Sequence, residues 1–155
     1  MKFVCPLIAV SDIEASKNFY GNVLNQKVTM DFGANVTFEN GFAIQKGFAE
    51  LIDINENEVA HRSNNFELYF EEEDLNGFVE RLKSFHNIEY VHDVKEHPWG
   101  QRVIRFYDPD KHIIEVGESM VSVIKRFLSQ GLTPEETSKR TMFPIDYIRQ
   151  LEECK

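Results

Sequence analysis

With 155 residues, 42% of them hydrophobic and 13 of them phenylalanine, the chain has one domain's worth of sequence and can bury roughly two-thirds of its unfolded surface. Its net charge of −9 repels nucleic-acid phosphates and anionic lipid and suits a cationic small molecule. No stretch approaches the roughly 20 apolar residues of a membrane span, Met1 to Pro6 lacks a signal-peptide pattern, and Cys5 and Cys154 make no disulfide framework, so a cytoplasmic protein is expected.

In chain order, Val4 to Val10 alternates and is rich in β-formers, which predicts a strand. Ser11-Asp12-Ile13-Glu14 has the spacing of a capping box, and the helix it opens places Ala15, Phe19 and Val23 on one face, with Tyr20 beside them. Strands are predicted at about 26–31, 34–39 and 42–46, separated by turns at Asp31-Phe32-Gly33 and Glu39-Asn40-Gly41. Residues 47–64 form a polar connector. The order then repeats: a strand from Phe66 to Glu72, a helix from Asp74 with Leu75, Phe78, Val79 and Leu82 on its apolar face, and strands at about 88–94, 102–107 and 112–117. Two βαβββ units, at about 1–46 and 65–118, point to internal duplication.

A boundary falls at residue 119. Residues 1–118 carry 11 Lys and Arg against 21 Asp and Glu, a net −10; residues 119–155 carry 6 against 5, a net +1. This second segment is predicted helical, with Thr133-Pro134-Glu135-Glu136 combining an N-cap, a first-turn proline and a capping glutamate. Leu128 to Ile148 resembles a helix-turn-helix pattern. A charge of +1 on a −10 body argues against duplex binding and for a helical extension that packs or makes dimer contacts.

The repeat supplies its own register. Aligning Asp12-Ile13 with Asp74-Leu75 gives an offset of 62 and sets Cys5 on Glu67; aligning residues 41–45 with 111–115 gives 70 and sets Gln45 on Glu115. Strand alternation puts all four on the face away from the helices, with Tyr69 and Glu71 beside Glu67. On curved sheets they would converge on the concave side. By the same alternation Arg105 and Tyr107 point into that concavity, where Arg105 is placed to pair with Glu67 or Glu115.

The pattern resembles the vicinal-oxygen-chelate superfamily, the glyoxalase, bleomycin-resistance and dioxygenase group. The resemblance is carried by Val10-Ser11-Asp12-Ile13-Glu14-Ala15-Ser16-Lys17-Asn18-Phe19-Tyr20, Phe70-Glu71-Glu72-Glu73-Asp74-Leu75, Pro98-Trp99-Gly100-Gln101-Arg102 and Asp108-Pro109-Asp110-Lys111-His112-Ile113-Ile114-Glu115. It implies an α+β fold in which residues 1–118 form two tandem βαβββ modules, a curved, cup-shaped mixed sheet with helices outside, and residues 119–155 are a C-terminal helical extension. It also implies that a divalent metal, where members hold one, would sit at Cys5, Gln45, Glu67 and Glu115. Only Glu115 is the usual ligand type at its place, Cys5 and Glu67 stand where histidines are usual, and Lys111 replaces the usual glycine of the Asp-Pro-Asp-Gly turn.

A thiolate with two carboxylates would blunt a dication as a Lewis acid, and no two-His-one-carboxylate set falls on the cup positions. The expectation is therefore no cofactor, with Glu67, Glu115 and Cys5 as the metal ligands if one is bound. Trp99 either stacks on a ligand or lids the core. Cys5 has no good base beside it for a nucleophilic role. The expected ligand-binding residues are Cys5, Gln45, Glu67, Tyr69, Trp99, Arg105 and Glu115. The leading expectation is a metal-independent, bleomycin-resistance-like homodimer that binds a small, cationic ligand and neither nucleic acid nor membrane. The alternatives are a metal-dependent lyase, isomerase or dioxygenase with an altered ligand set, and a regulatory module whose tail engages a partner.

Overall fold

The structure, a computed structural model, describes residues 1–153; Cys154 lies outside the described residues. Contacts divide the chain into two compact units, Met1–Phe66 with Tyr107–Ile113, and Glu67–Phe106 with Ile114–Lys155.

In the first unit the order is β1 (Leu7–Ala9), α1 (Ile13–Leu24), β2 (Val28–Asp31), β3 (Asn35–Phe38) and β4 (Ala43–Gln45). The sheet runs β1-β4-β3-β2, with β1 parallel to β4 and the other neighbours antiparallel. Strand β1 is shorter than the alternation of Val4 to Val10 predicts: Val4 is exposed, Cys5 is half-buried, and ladder pairing starts only where Leu7 meets Ala43. The α1 cap also differs from the capping-box expectation. Asp12 is the N-cap and accepts from the Ala15 amide at 3.0 Å, while Ser11 donates its own amide to Asp110 Oδ1 at 2.9 Å. The buried stripe is Ile13, Ser16, Tyr20, Val23 and Leu24, and Ala15 of the expected face is left exposed.

Tyr20 packs against Phe38 and Phe42, whose rings stack at 4.6 Å, and its hydroxyl donates to the buried Asp108 at 2.8 Å. Burial first, then the Asp108 charge, keep this phenol protonated well past its ordinary range. Asp108 also meets His112 Nδ1 at 2.9 Å. The polar connector holds two short elements that its composition does not announce, α2 (Phe48–Leu51) and a single 3-10 turn (Glu56–Glu58).

The second unit repeats the order with β5 (Glu67–Glu72), α3 (Leu75–Lys83), β6 (Glu89–Glu96), β7 (Arg102–Tyr107) and β8 (Ile113–Glu118), in the sheet order β5-β8-β7-β6. The duplication is legible in the caps: Asp74 accepts from the Gly77 amide just as Asp12 accepts from Ala15, each 62 residues from its counterpart. Leu75, Phe78 and Leu82 are the buried face of α3.

Three helices follow, α4 (Met120–Ser129), α5 (Pro134–Thr141) and α6 (Ile145–Glu153). The expected cap of α5 is present, with Thr133 and Glu136 bonding reciprocally and Pro134 in the first turn. Ile124, Leu128 and Ile148 form a core flanked by Phe143 and Leu151. Phe127 lies hard against Gly100, where an added Cβ would stand 2.1 Å from the ring, and Gly100 has φ +88°; only glycine fits there. The fold is thus α+β, two βαβββ modules and a helical C-terminal extension. Among the described residues no helix is long and apolar enough to cross a membrane.

Candidate functional site

The chemistry gathers in the second unit, on one face of β5, β7 and β8. Alternation sends Glu67, Tyr69 and Glu71 of β5, Arg105 of β7, and Glu115 and Gly117 of β8 to this face. Arg105 is the hub. Its Nε donates to Glu67 Oε2 at 2.8 Å, its Nη2 forms an ion pair with Glu115, and its Nη1 meets His92 Nε2 at 3.3 Å. His92 Nδ1 lies 2.7 Å from the Asp93 carbonyl and must donate to it, which leaves Nε2 to accept from Arg105. Glu115 is buried, and an unpartnered carboxylate there would cost several kcal/mol, on the order of the penalty for an isolated buried charge.

A directional relay runs beside this hub. Trp99 Nε1 donates to Gln101 Oε1 at 3.1 Å, Gln101 Nε2 donates to the Tyr69 hydroxyl at 2.8 Å, and that hydroxyl donates to Glu71 at 3.0 Å. Gln101 also donates to the Glu118 carbonyl at 3.0 Å, so its amide can adopt only one orientation. Burial, then the bond to Glu71, push the Tyr69 phenol up to about 12, so it remains a donor at neutral pH. Gly117 makes the relay possible: a Cβ there would come within 2.9 Å of Tyr69 and 3.1 Å of Gln101. The His97 ring stacks on Trp99 at 4.3 Å, and burial, then the Arg105 charge, lower its proton affinity below that of an ordinary imidazole.

Above these groups lies a cleft of about 530 Å³. Tyr69, Trp99, Gln101 and Glu115 line it from the sheet side, and Met120, Thr141, Met142 and Phe143 of the extension complete it. A volume of this size suits a small organic molecule.

Of the residues expected from sequence to bind a ligand, the structure brings Glu67, Arg105 and Glu115 into one ion cluster and sets Tyr69, Trp99 and Glu115 on one cleft. Cys5 and Gln45 belong to the first unit. There the Gln45 amide is already engaged: its Oε1 accepts from Asn35 at 2.9 Å and its Nε2 donates to the Lys46 carbonyl at 2.7 Å. Among the described residues no group of three or more His, Cys, Asp and Glu side chains is placed to hold a metal ion.

A second cluster escaped the sequence reading. Glu118, 3% exposed, takes two hydrogen bonds from Arg102, at 3.1 and 2.9 Å, and two from Arg126, at 3.1 and 3.0 Å. Burial alone would raise the Glu118 pKa, but the two guanidinium groups outweigh it and hold the carboxyl below its ordinary range. Arg126 also donates to the Gly100 carbonyl at 2.6 Å, and Arg140 to Glu96 at 2.6 Å, so the extension is tied to the strands of its unit. Arg126 is 24 residues from Arg102 in sequence, and no periodicity links it to Glu118.

The chain matches the glyoxalase-like domain family over residues 3–121. A solved protein of unknown function from Agrobacterium tumefaciens strain C58 is 44% identical, with a TM-score of 0.69, over 77% of this chain and 94% of its own. A glyoxalase-related enzyme from Fulvimarina pelagi is 20% identical with a TM-score of 0.64, over 78% of this chain and 90% of its own. The fosfomycin resistance protein FosX from Listeria monocytogenes is 19% identical with a TM-score of 0.58, over 77% of this chain and 93% of its own. The last two likenesses speak to fold alone. No curated protein sequence matches the chain.

Proposed function

This chain belongs to the glyoxalase-like family of the vicinal-oxygen-chelate superfamily, and from that premise we propose that it binds a small, flat, cationic organic molecule without a catalytic metal. The observation that carries the reading is the cleft, lined by the relay-held Trp99 and by Glu115. A ring held by a hydrogen bond to Gln101 and by the His97 ring stacked on it offers a planar ligand a fixed surface, and cations are attracted to indole faces. The sign of the ligand charge follows from the ion cluster. Glu67 and Glu115 face one guanidinium, so one negative charge is left over.

The donor set does not suit a divalent ion. Arg105 already occupies the space between the two carboxylates that the family resemblance names as ligands, and Gln45 has spent its amide on Asn35 and Lys46. A dication would have to displace a guanidinium from both carboxylates. Binding and sequestration need only the cleft. The proposal includes a homodimer, supported by the exposure of Val28, Met30 and Phe32 on and beside β2, an apolar row that a second copy would cover; sedimentation as a monomer at micromolar concentration would remove that part.

Trp99 is the only tryptophan, so its emission reports on the cleft directly. Titration with proflavine, a planar cation, should quench it saturably. The uncharged ring analogue acridine should bind at least about fivefold more weakly at neutral pH, the worth of roughly 1 kcal/mol of charge attraction at a partly wet site. Absence of saturable quenching by either, or equal affinity for both, would overturn the reading.

A further inference from the structure

The matched family domain ends at residue 121, yet Thr141, Met142 and Phe143, which lie beyond it, line the cleft. This part of the chain is held firmly. Arg126 and Arg140 flank the Phe127 ring, at 4.9 and 4.6 Å from its centroid, and both are tied to acids of the strands. The α5–α6 junction is fixed from within: Ser138 Oγ donates to the Phe143 carbonyl at 2.7 Å, Thr141 Oγ1 donates to the Thr137 carbonyl at 2.8 Å, and the Phe143 ring packs on the Ile124, Leu128 and Ile148 core.

Met142 is the exception in this packed junction. It caps α5 in the left-handed region, at φ 62° and ψ 14°, where glycine is the unstrained choice. Its backbone amide satisfies the Ser138 carbonyl, which any residue can do. The residue is 78% exposed, so it lies outside the core, and it borders the cleft that Trp99 and Glu115 also line. A long apolar side chain in a strained position, outside the core and beside a cavity, has one remaining use: contact with what enters.

We propose that the α5–α6 junction is a ligand-facing wall added to the family's domain, and that Met142 is a specificity-determining contact that closes over a flat ring lying on Trp99. The proposal rests on the cleft being the binding site. Met142 would supply a polarizable thioether to the ring face away from the indole, so that a planar ligand is held between two soft surfaces while the Glu115 carboxylate meets its charge. An extended aliphatic cation of equal charge would gain little from this arrangement.

The test uses the full chain with proflavine and the aliphatic dication putrescine, read by Trp99 quenching and calorimetry, together with the Tm of each variant. Met142→Gly should bind proflavine about three- to tenfold more weakly, as for loss of one sulfur–aromatic contact. Its Tm should hold or rise, because glycine relieves the left-handed cap. Met142→Leu, which keeps the bulk without the sulfur, should recover part of the affinity, and putrescine binding should not respond to either change. If wild type shows no saturable proflavine binding, the binding-site reading falls and this proposal with it. If wild type binds and Met142→Gly binds equally well, the cleft stands as a site and only the Met142 proposal is overturned. A lowered Tm in Met142→Gly would assign the residue to the fold and overturn it equally.

Discussion

In the first module Asn35 pairs with Gln45 across β3 and β4, in register and joined by a 2.9 Å amide hydrogen bond. Seventy residues further along, at the equivalent places on β7 and β8, stand Arg105 and Glu115, joined as an ion pair. The backbone is repeated and the electrostatics are not. One amide donates to the other, which donates in turn to a neighbouring carbonyl, and the contact is neutral. A guanidinium between two carboxylates leaves charge over and draws in His92 as well. The same duplication thus yields one half that is chemically quiet at this position and one that carries a charged site.

The largest test of this contrast is to empty each pair in turn. Arg105→Met leaves Glu115 buried and uncompensated and should cost about 3 kcal/mol in urea unfolding, at the low end for breaking a buried pair because Glu67 is partly exposed. Asn35→Ala removes one neutral hydrogen bond and should cost about 1 kcal/mol. Equal costs would mean the two halves are not electrostatically distinct.

Acid should find the second unit first. Because the folded state holds Glu118 below its ordinary 4.5, the stability it supplies is fully present above that value and is lost as pH falls through the lowered pKa. The equivalent position seventy residues earlier is Phe48, which does not titrate. Glu118→Gln should cost about 2 kcal/mol near neutral pH, the scale of lost charge-assisted hydrogen bonds, and should flatten the Tm profile between pH 5 and about pH 3. An unchanged profile would show that acid unfolding begins elsewhere.

A smaller effect separates the two glycines that the repeat aligns. At Gly47 an added methyl meets nothing closer than 3.9 Å, so Gly47→Ala should cost about 1 kcal/mol through its φ of +66° alone and leave ligand binding intact. At Gly117 the same methyl enters the Tyr69–Gln101 contact. Gly117→Ala should cost about 1–2 kcal/mol by overpacking and also shift Trp99 emission, because the relay must part. Identical spectra for the two variants would detach Trp99 from the relay.

Much of this contrast is legible in the residues. Strand alternation alone sends Arg105, Glu67 and Glu115 to one face, and the structure places them in contact. The caps are less legible: Ser11 and Asp12 can both cap, Asp12 does so, and the Ser11 amide that a capping box would give to Glu14 goes instead to Asp110, 99 residues away. Gln101 gives no sign of its position in the relay, since a glutamine after a turn is as often solvated as bonded.

Periodicity, turn chemistry and the internal repeat by themselves determine the doubled βαβββ order, the faces of the strands and the capped helix of the extension, and the family resemblance adds the α+β class. All of these depend on interactions within a few residues or on a pattern of fixed period. Tertiary structure alone decides that Glu118 is clasped by Arg102 and Arg126, that Phe127 fills the space beside Gly100, and that Met142 borders the cleft. Such contacts join residues with no shared period, and a charged side chain has the same local preferences whether it finds a buried partner or water. Only the folded chain sets that partner and the burial that gives the pair its worth.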